Sequence, residues 1–184
     1  MQQDITAWAW SPNGKQIAFL SRDEITQEED VRLYEKRDDI VFGPNWKFAR
    51  LRYLDVELDV VRTLVEKAAH VADFAWNQDF SRIVSITHES KVTDSAGYKG
   101  SKFEQADLSI GQCQGLADFP ELTADLIWEV SNIYFRAGAI PEHSSTSWMT
   151  YILRSDQGQW SKHAYGEDNC AVQICHSDFQ SIIT

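Results

Sequence analysis

The run Trp10-Ser11-Pro12-Asn13-Gly14, followed by Gln16-Ile17-Ala18-Phe19-Leu20-Ser21, is written more than once in this chain. A strand ends in Trp10, a Pro-Asn-Gly turn reverses it, and an apolar strand returns. Pro12 fixes its own φ near the value a turn needs, and Gly14 can take the positive φ of a tight hairpin. The segment Asp73-Phe74-Ala75-Trp76-Asn77-Gln78-Asp79-Phe80-Ser81-Arg82-Ile83-Val84 repeats the pattern 66 positions downstream. Ala9 falls on Ala75, Trp10 on Trp76 and Ile17 on Ile83. A hairpin repeated at several tens of residues marks a stacked array, of which the β-propeller is the commonest β form.

Two weaker copies extend the series. Leu126-Ile127-Trp128-Glu129-Val130-Ser131-Asn132-Ile133-Tyr134-Phe135 reads as the same hairpin with a shortened turn. Cys175-His176-Ser177-Asp178-Phe179-Gln180-Ser181-Ile182 matches Trp76 to Ile83 at an offset of 99. The hairpins begin near residues 7, 73, 125 and 171, spaced by 66, 52 and 46 residues. Propeller blades run about 40–50 residues, so the first unit is expanded. The polar stretch Arg22 to Arg37 reads as an excursion between its second and third strands.

The sequence therefore predicts an all-β chain, a partial β-propeller of about three to four blades in four-stranded antiparallel sheets. The blades are expected over 5–68, 69–122 and 123–166, with an incomplete one over 167–184. Expected strands include Thr6–Trp10, Gln16–Ser21, Phe48–Val56, Val60–Val65, Val71–Trp76, Arg82–His88, Phe103–Leu108, Leu126–Val130, Asn132–Ala137, Ser147–Arg154 and Trp160–Ala164. Ser109 to Leu122 shows little pattern. Trp10 and Trp76 are expected to be equivalent and equally buried. Ile182-Ile183-Thr184 leaves the last blade half made, so the chain reads as a fragment of a longer polypeptide.

Composition narrows the function classes. Of 184 residues 43% are hydrophobic, with seven Trp and nine Phe, enough for a packed core. A net charge of −11 argues against a nucleic-acid partner, whose phosphates need Lys and Arg. Three Cys imply no disulfide framework. No segment reaches the length of apolar residues that spans a bilayer, and Met1-Gln2-Gln3-Asp4 has no signal-peptide pattern. The expectation is no membrane partner and a cytoplasmic setting.

Trp10-Ser11-Pro12-Asn13-Gly14-Lys15-Gln16-Ile17-Ala18-Phe19-Leu20-Ser21 resembles the blade signature W-S-P-D-G-K-x-I-A-F-x-S. That signature is shared by the N-terminal propellers of the prolyl oligopeptidase family and by Tol-type propellers. Asp30-Val31-Arg32, Ala49-Arg50-Leu51-Arg52-Tyr53-Leu54-Asp55-Val56 and Ser131-Asn132-Ile133-Tyr134-Phe135-Arg136 are more similar to the first group, in its acylaminoacyl-peptidase-like and dipeptidyl-peptidase-like members. Asn13 stands where the signature has Asp. The resemblance implies a non-catalytic propeller that gates a downstream α/β-hydrolase domain of the same parent protein, with peptides as substrates. The alternative is a stand-alone interaction scaffold of the Tol or WD-repeat type.

The chain carries no G-x-S-x-G nucleophile elbow, so no catalytic residue is assigned, nor any cofactor or metal site. Glu28-Glu29 suits an ammonium group. With Gln27 and Asp30 beside it, the pair reads better as a solvated charge run. Cys170, Cys175, His163 and His176 lack zinc spacing. His70, His88 and His143 read as strand-end or loop residues. Arg50 and Arg52 share one face of a strand and read as ion-pair partners of the acidic excess.

Overall fold

Turn chemistry sets the first hairpin. β1 (Ile5–Trp10) pairs antiparallel with β2 (Gln16–Arg22), with Trp10 opposite Ile17. Between them the Ser11 amide donates to the Gln16 carbonyl at 2.8 Å, and the Gly14 amide to the Ser11 carbonyl at 2.8 Å. Asn13 Oδ1 accepts the Lys15 amide at 3.0 Å and the Ser11 hydroxyl at 2.7 Å. Gly14 sits at φ +69°, where a side chain is strained.

The second hairpin repeats this geometry with other residues. β5 (His70–Trp76) and β6 (Arg82–His88) place Trp76 opposite Ile83. Asp79 takes the part of Asn13, accepting the Ser81 amide at 3.0 Å, and Phe80 occupies the Gly14 position at φ +55°. Hydrogen bonds from Ser81, hydroxyl then amide, hold the Asp79 carboxyl below its usual range. In the third hairpin β9 (Thr123–Glu129) meets β10 (Asn132–Ala139) with Trp128 opposite Ile133. Its turn is only Val130-Ser131, and Val130 takes φ +53°.

The computed structural model describes residues 4–24, 26–35, 47–65, 69–90, 99–139 and 144–163. Each hairpin acquires two further strands. β3 (Ala49–Asp55) and β4 (Val60–Thr63) complete a sheet in the order β1-β2-β3-β4. β7 (Ser101–Asp107) and β8 (Gln112–Phe119) complete β5-β6-β7-β8. β11 (Ser144–Arg154) and β12 (Trp160–Lys162) extend the third sheet outward as β9-β10-β11-β12. Neighbouring strands are antiparallel throughout. These are three propeller blades, each made from one contiguous stretch of chain.

Two details depart from expectation. The Arg22–Arg37 excursion contains a helix, α1 (Gln27–Tyr34), and the stretch after Ser109 contains β8. The unit expected over 167–184 lies outside the described residues.

The sheets stack face to face. Ala18, Leu20, Leu51 and Val65 of the first blade pack against Val71, Phe74, Trp76 and Ile83 of the second. Val84, Ile86, Phe103 and Phe119 of the second pack against Leu126, Trp128, Ile133, Phe135, Tyr151 and Leu153 of the third. Ring contacts run through that second layer: Phe103–Phe135 at 4.7 Å, Phe119–Tyr151 at 4.9 Å and Phe119–Trp160 at 4.7 Å between centroids. These separations suit offset and edge-to-face packing. β6 is sandwiched between two blades, and its last six residues are buried on both faces.

Candidate functional site

The three repeats occupy the same register but not the same environment. Trp8, Phe74 and Leu126 are equivalent positions, as are Trp10, Trp76 and Trp128. Phe74 and Trp76 are each 8% exposed, Leu126 is 4% and Trp128 is 5%. Trp8 is 64% exposed and Trp10 is 48%. The expectation that Trp10 is as buried as Trp76 is thus corrected. The cause is the neighbour, not the residue. Each Trp packs on the blade that precedes it: the Trp76 indole N–H donates to the Ala9 carbonyl at 3.4 Å, and Trp128 lies 5.5 Å from the Arg82 guanidinium. Among the described residues no blade precedes the first. Ile5, 57% exposed, extends the same open strand. An exposed aromatic face of this kind marks an interaction surface.

A second feature is polar and buried. His70, at the start of β5, is the register partner of His88, at the end of β6. His88 Nε2 lies 3.0 Å from Ser101 Oγ. The Ser101 hydroxyl donates to the Glu121 carbonyl at 2.9 Å, and the Thr123 amide donates to Ser101 Oγ at 3.1 Å. A serine hydroxyl has one hydrogen. Since Glu121 takes it, His88 Nε2 is the donor to Ser101. On the other side His70 Nδ1 accepts the Ala49 amide at 3.2 Å. Two separate sets of bonds lie along one seam: His70 meets the first blade, and Ser101 meets the third. Burial, then the charge of His70, pushes the His88 pKa down from 6.5 to about 4.

A Ser–His contact invites comparison with a nucleophile and its base. The direction is wrong: a base must accept the serine proton, and here the ring donates. Ser101 is also only 1% exposed. The pair lies within the second blade, and Ser101 carries the link to the third through the Thr123 amide.

The other sequence candidates are separate. Arg50 forms a two-pronged ion pair with Asp23 at 2.7 and 2.9 Å and lies over the Phe48 ring. Arg52 bonds to Ser21. Glu28 and Glu29 lie on α1, and their side chains fall outside the described residues, as do His143, Cys170, Cys175 and His176. His163 stacks edge-on against Tyr134, 5.8 Å between centroids. Among the described residues no three His, Cys, Asp or Glu side chains group to hold a metal ion, and no helix is long and apolar enough to cross a membrane. The sequence reading missed Trp8 as a surface residue and Ser101 as the partner of His88.

No protein-family model and no curated protein matches the sequence. Solved structures match its fold. The β-propeller domain of the Trilobed protease from Pyrococcus furiosus is 18% identical, with a TM-score of 0.56 over 88% of this chain and 43% of that one. A puromycin-hydrolyzing peptidase from Mycobacterium tuberculosis is 12% identical, with a TM-score of 0.62 over 90% of this chain and 24% of that one. TolB from Acinetobacter baumannii is 14% identical, with a TM-score of 0.52 over 89% of this chain and 33% of that one. The chain spans less than half the length of each. Identities this low speak for the fold: the three sheets are consecutive blades of a β-propeller.

Proposed function

We propose that this chain is the non-catalytic propeller portion of a serine peptidase of the prolyl oligopeptidase type. In that role it stands over a hydrolase domain of the same parent protein and admits short or unfolded peptides. The observation that carries the reading is the uncovered Trp8 and Trp10 face. Equivalent faces in the second and third blades are covered by a blade, so the first blade is built to receive one too. The described residues form three blades, fewer than the four to eight of a closed propeller, and a ring over an active site needs further blades. Among the structural neighbours, a tricorn protease and an acylaminoacyl peptidase join the peptidases already named. The blade signature at Trp10–Ser21 points the same way.

The test uses the 184-residue chain beside the longest open reading frame that contains it. A fluorophosphonate probe should leave the 184-residue chain unlabelled and label one serine of the longer protein. That protein should cleave short chromogenic peptides and spare folded proteins, and removing the propeller should erase the distinction. Labelling of a serine within these 184 residues defeats the reading. So does a longer protein that binds partners and labels nowhere, which is the scaffold alternative.

A further inference from the structure

We infer that the cleft at the turn end of the second blade, lined by Arg82, Gln105, Asp107, Ile110, Gln112 and Gln114, binds a short extended peptide by its main chain. The inference rests on side chains of one blade and is independent of the peptidase reading. Antiparallel register sets Arg82, Asp107 and Gln112 in one row across β6, β7 and β8, and Val84, Gln105 and Gln114 in the next. Both rows lie on the face whose Val84, Ile86 and Phe103 pack on the third blade. The cleft is where that apolar seam turns polar. In the other blades the Gln105 position is not an amide: Tyr53 holds it in the first and Ile152 in the third. A buried amide needs partners. Gln105 is 6% exposed, and its Oε1 has no hydrogen-bond partner among the described residues. The last torsion of a glutamine is soft, so this oxygen can turn to a donor seated in the cleft.

The Arg82 guanidinium is uncommitted as well. In the third blade the equivalent cross-strand pair is closed, with Arg154 donating to Asn132 Oδ1 at 2.8 Å. In the second, Asp107 Oδ1 instead accepts the Ser109 hydroxyl at 2.6 Å and the Ser109 amide at 2.9 Å. The Arg82 guanidinium lies 5.5 Å from the Trp128 ring and makes no ion pair or side-chain hydrogen bond among the described residues.

These groups define a ligand. Gln105 Oε1 needs an N–H or O–H, and the guanidinium needs a carbonyl or carboxylate oxygen. Bonds from Ser109, hydroxyl then amide, hold the Asp107 carboxyl below its usual range, so its charge stands beside Arg82 and disfavours an anion. Arg82 in turn disfavours a cation. An uncharged group with both a donor and an acceptor fits, and the peptide unit is one. The two rows are two residues apart along the strand, about 6.8 Å. An extended peptide repeats its N–H and C=O on one side at that same interval, so one C=O can meet Arg82 while an N–H meets Gln105. The exposed Gln112 and Gln114 offer further amides along the outer wall. The cleft is about 250 Å³, below the range of drug-sized sites, and holds roughly two or three residues. Ile110, 63% exposed, forms an apolar rim for a peptide side chain.

The experiment is an NMR titration of the isotope-labelled 184-residue chain with N-acetyl-trialanine amide. It is read at the side-chain amides of Gln105, Gln112 and Gln114 and at the Arg82 Nε–H. These resonances should shift together and saturate on one millimolar curve, while the side-chain amides of Asn13 and Gln16 in the first blade stay still. Gln105→Leu gives the site the apolar character of the other blades and should weaken binding roughly tenfold. Because a core variant can fail to fold, the wild-type chain is also titrated with the same peptide N-methylated at its central residues. Loss of the N–H donors should weaken that peptide roughly tenfold. Equal binding of the two peptides overturns the inference, and so does equal binding by a folded Gln105→Leu variant. Resonances that do not move with the peptide overturn it too. So does saturation of the same residues by glucose or by acetate in the peptide's stead, which marks a polyol site or a carboxylate site.

Discussion

Truncating the equivalent tryptophans tests the stacking argument directly, because register is shared and only the neighbour differs. Trp76→Ala removes a side chain that is 8% exposed, packed on Ala18, Leu20 and Leu51 and bonded to the Ala9 carbonyl. Large aromatic-to-alanine changes in cores cost about 3–5 kcal/mol. Trp10 is 48% exposed, so about half of its surface is already in water. Its indole has no preceding blade to bond to among the described residues. Scaling the same cost by the buried half gives about 2 kcal/mol for Trp10→Ala. The assay is urea unfolding at pH 7 followed by far-ultraviolet circular dichroism, with both variants showing the wild-type m-value. Acrylamide quenching supplies a control, since Trp8 and Trp10 should quench well before Trp76 and Trp128. Equal costs at positions 10 and 76 would refute the claim that the first blade presents an open face. A Trp10 cost that rises to the Trp76 level in a longer protein would show that a blade covers it there.

Other outcomes follow from local geometry. Val130 is β-branched, 72% exposed and at φ +53°, so Val130→Gly should stabilise by about 0.5–1 kcal/mol in the same assay, the relief of left-handed strain exceeding glycine's entropy cost. Gly100 sits at φ +73° with the Phe119 carbonyl oxygen 2.2 Å from where a Cβ would stand, so Gly100→Ala should cost about 3 kcal/mol and lower the melting temperature. Asp23→Asn leaves the half-buried Arg50 without its carboxylate and should cost about 1 kcal/mol, a loss that high salt diminishes. His88 has a folded pKa below its unfolded one, so its contribution is full above about pH 6.5 and is lost as pH falls toward about 4. The loss is about 3 kcal/mol, readable as a fall in melting temperature that His88→Gln removes.

What could be read from the chain was whatever a residue decides for itself or with its near neighbours. Asn13 and Gly14 announce a turn because their own chemistry makes one, and Phe80 gave no such signal although it takes the same left-handed conformation. The offset of 66 residues recovered the equivalence of Trp10 and Trp76 because repeats preserve register. β8 was hidden because Gln112, Gln114 and Gly115 are exposed and a bulge puts its apolar Cys113, Leu116, Ala117 and Phe119 out of strict alternation. α1 was hidden because its eight residues are mostly polar and carry no apolar stripe.

Burial across a stack is a different kind of fact. Trp8, Phe74 and Leu126 each mark one residue of an inner strand, and nothing local says which of them meets water. That is decided by whether a sheet stands in front, a relation between segments tens of residues apart. The seam obeys the same logic. Antiparallel pairing sets the start of β5 against the end of β6, and so sets His70 against His88. The start of β7 then brings Ser101 beside them, and the connection into β9 brings Thr123. Register alone therefore gathers four polar residues, spread over 54 positions, along one seam. Blade-to-blade cohesion here is aromatic and wants a neighbour, while the buried His88 adds a pH dependence because its site favours the neutral ring. Removing the neighbour should leave the acid response of the second and third blades intact, and abolishing the acid response should leave the Trp10 face as exposed as before.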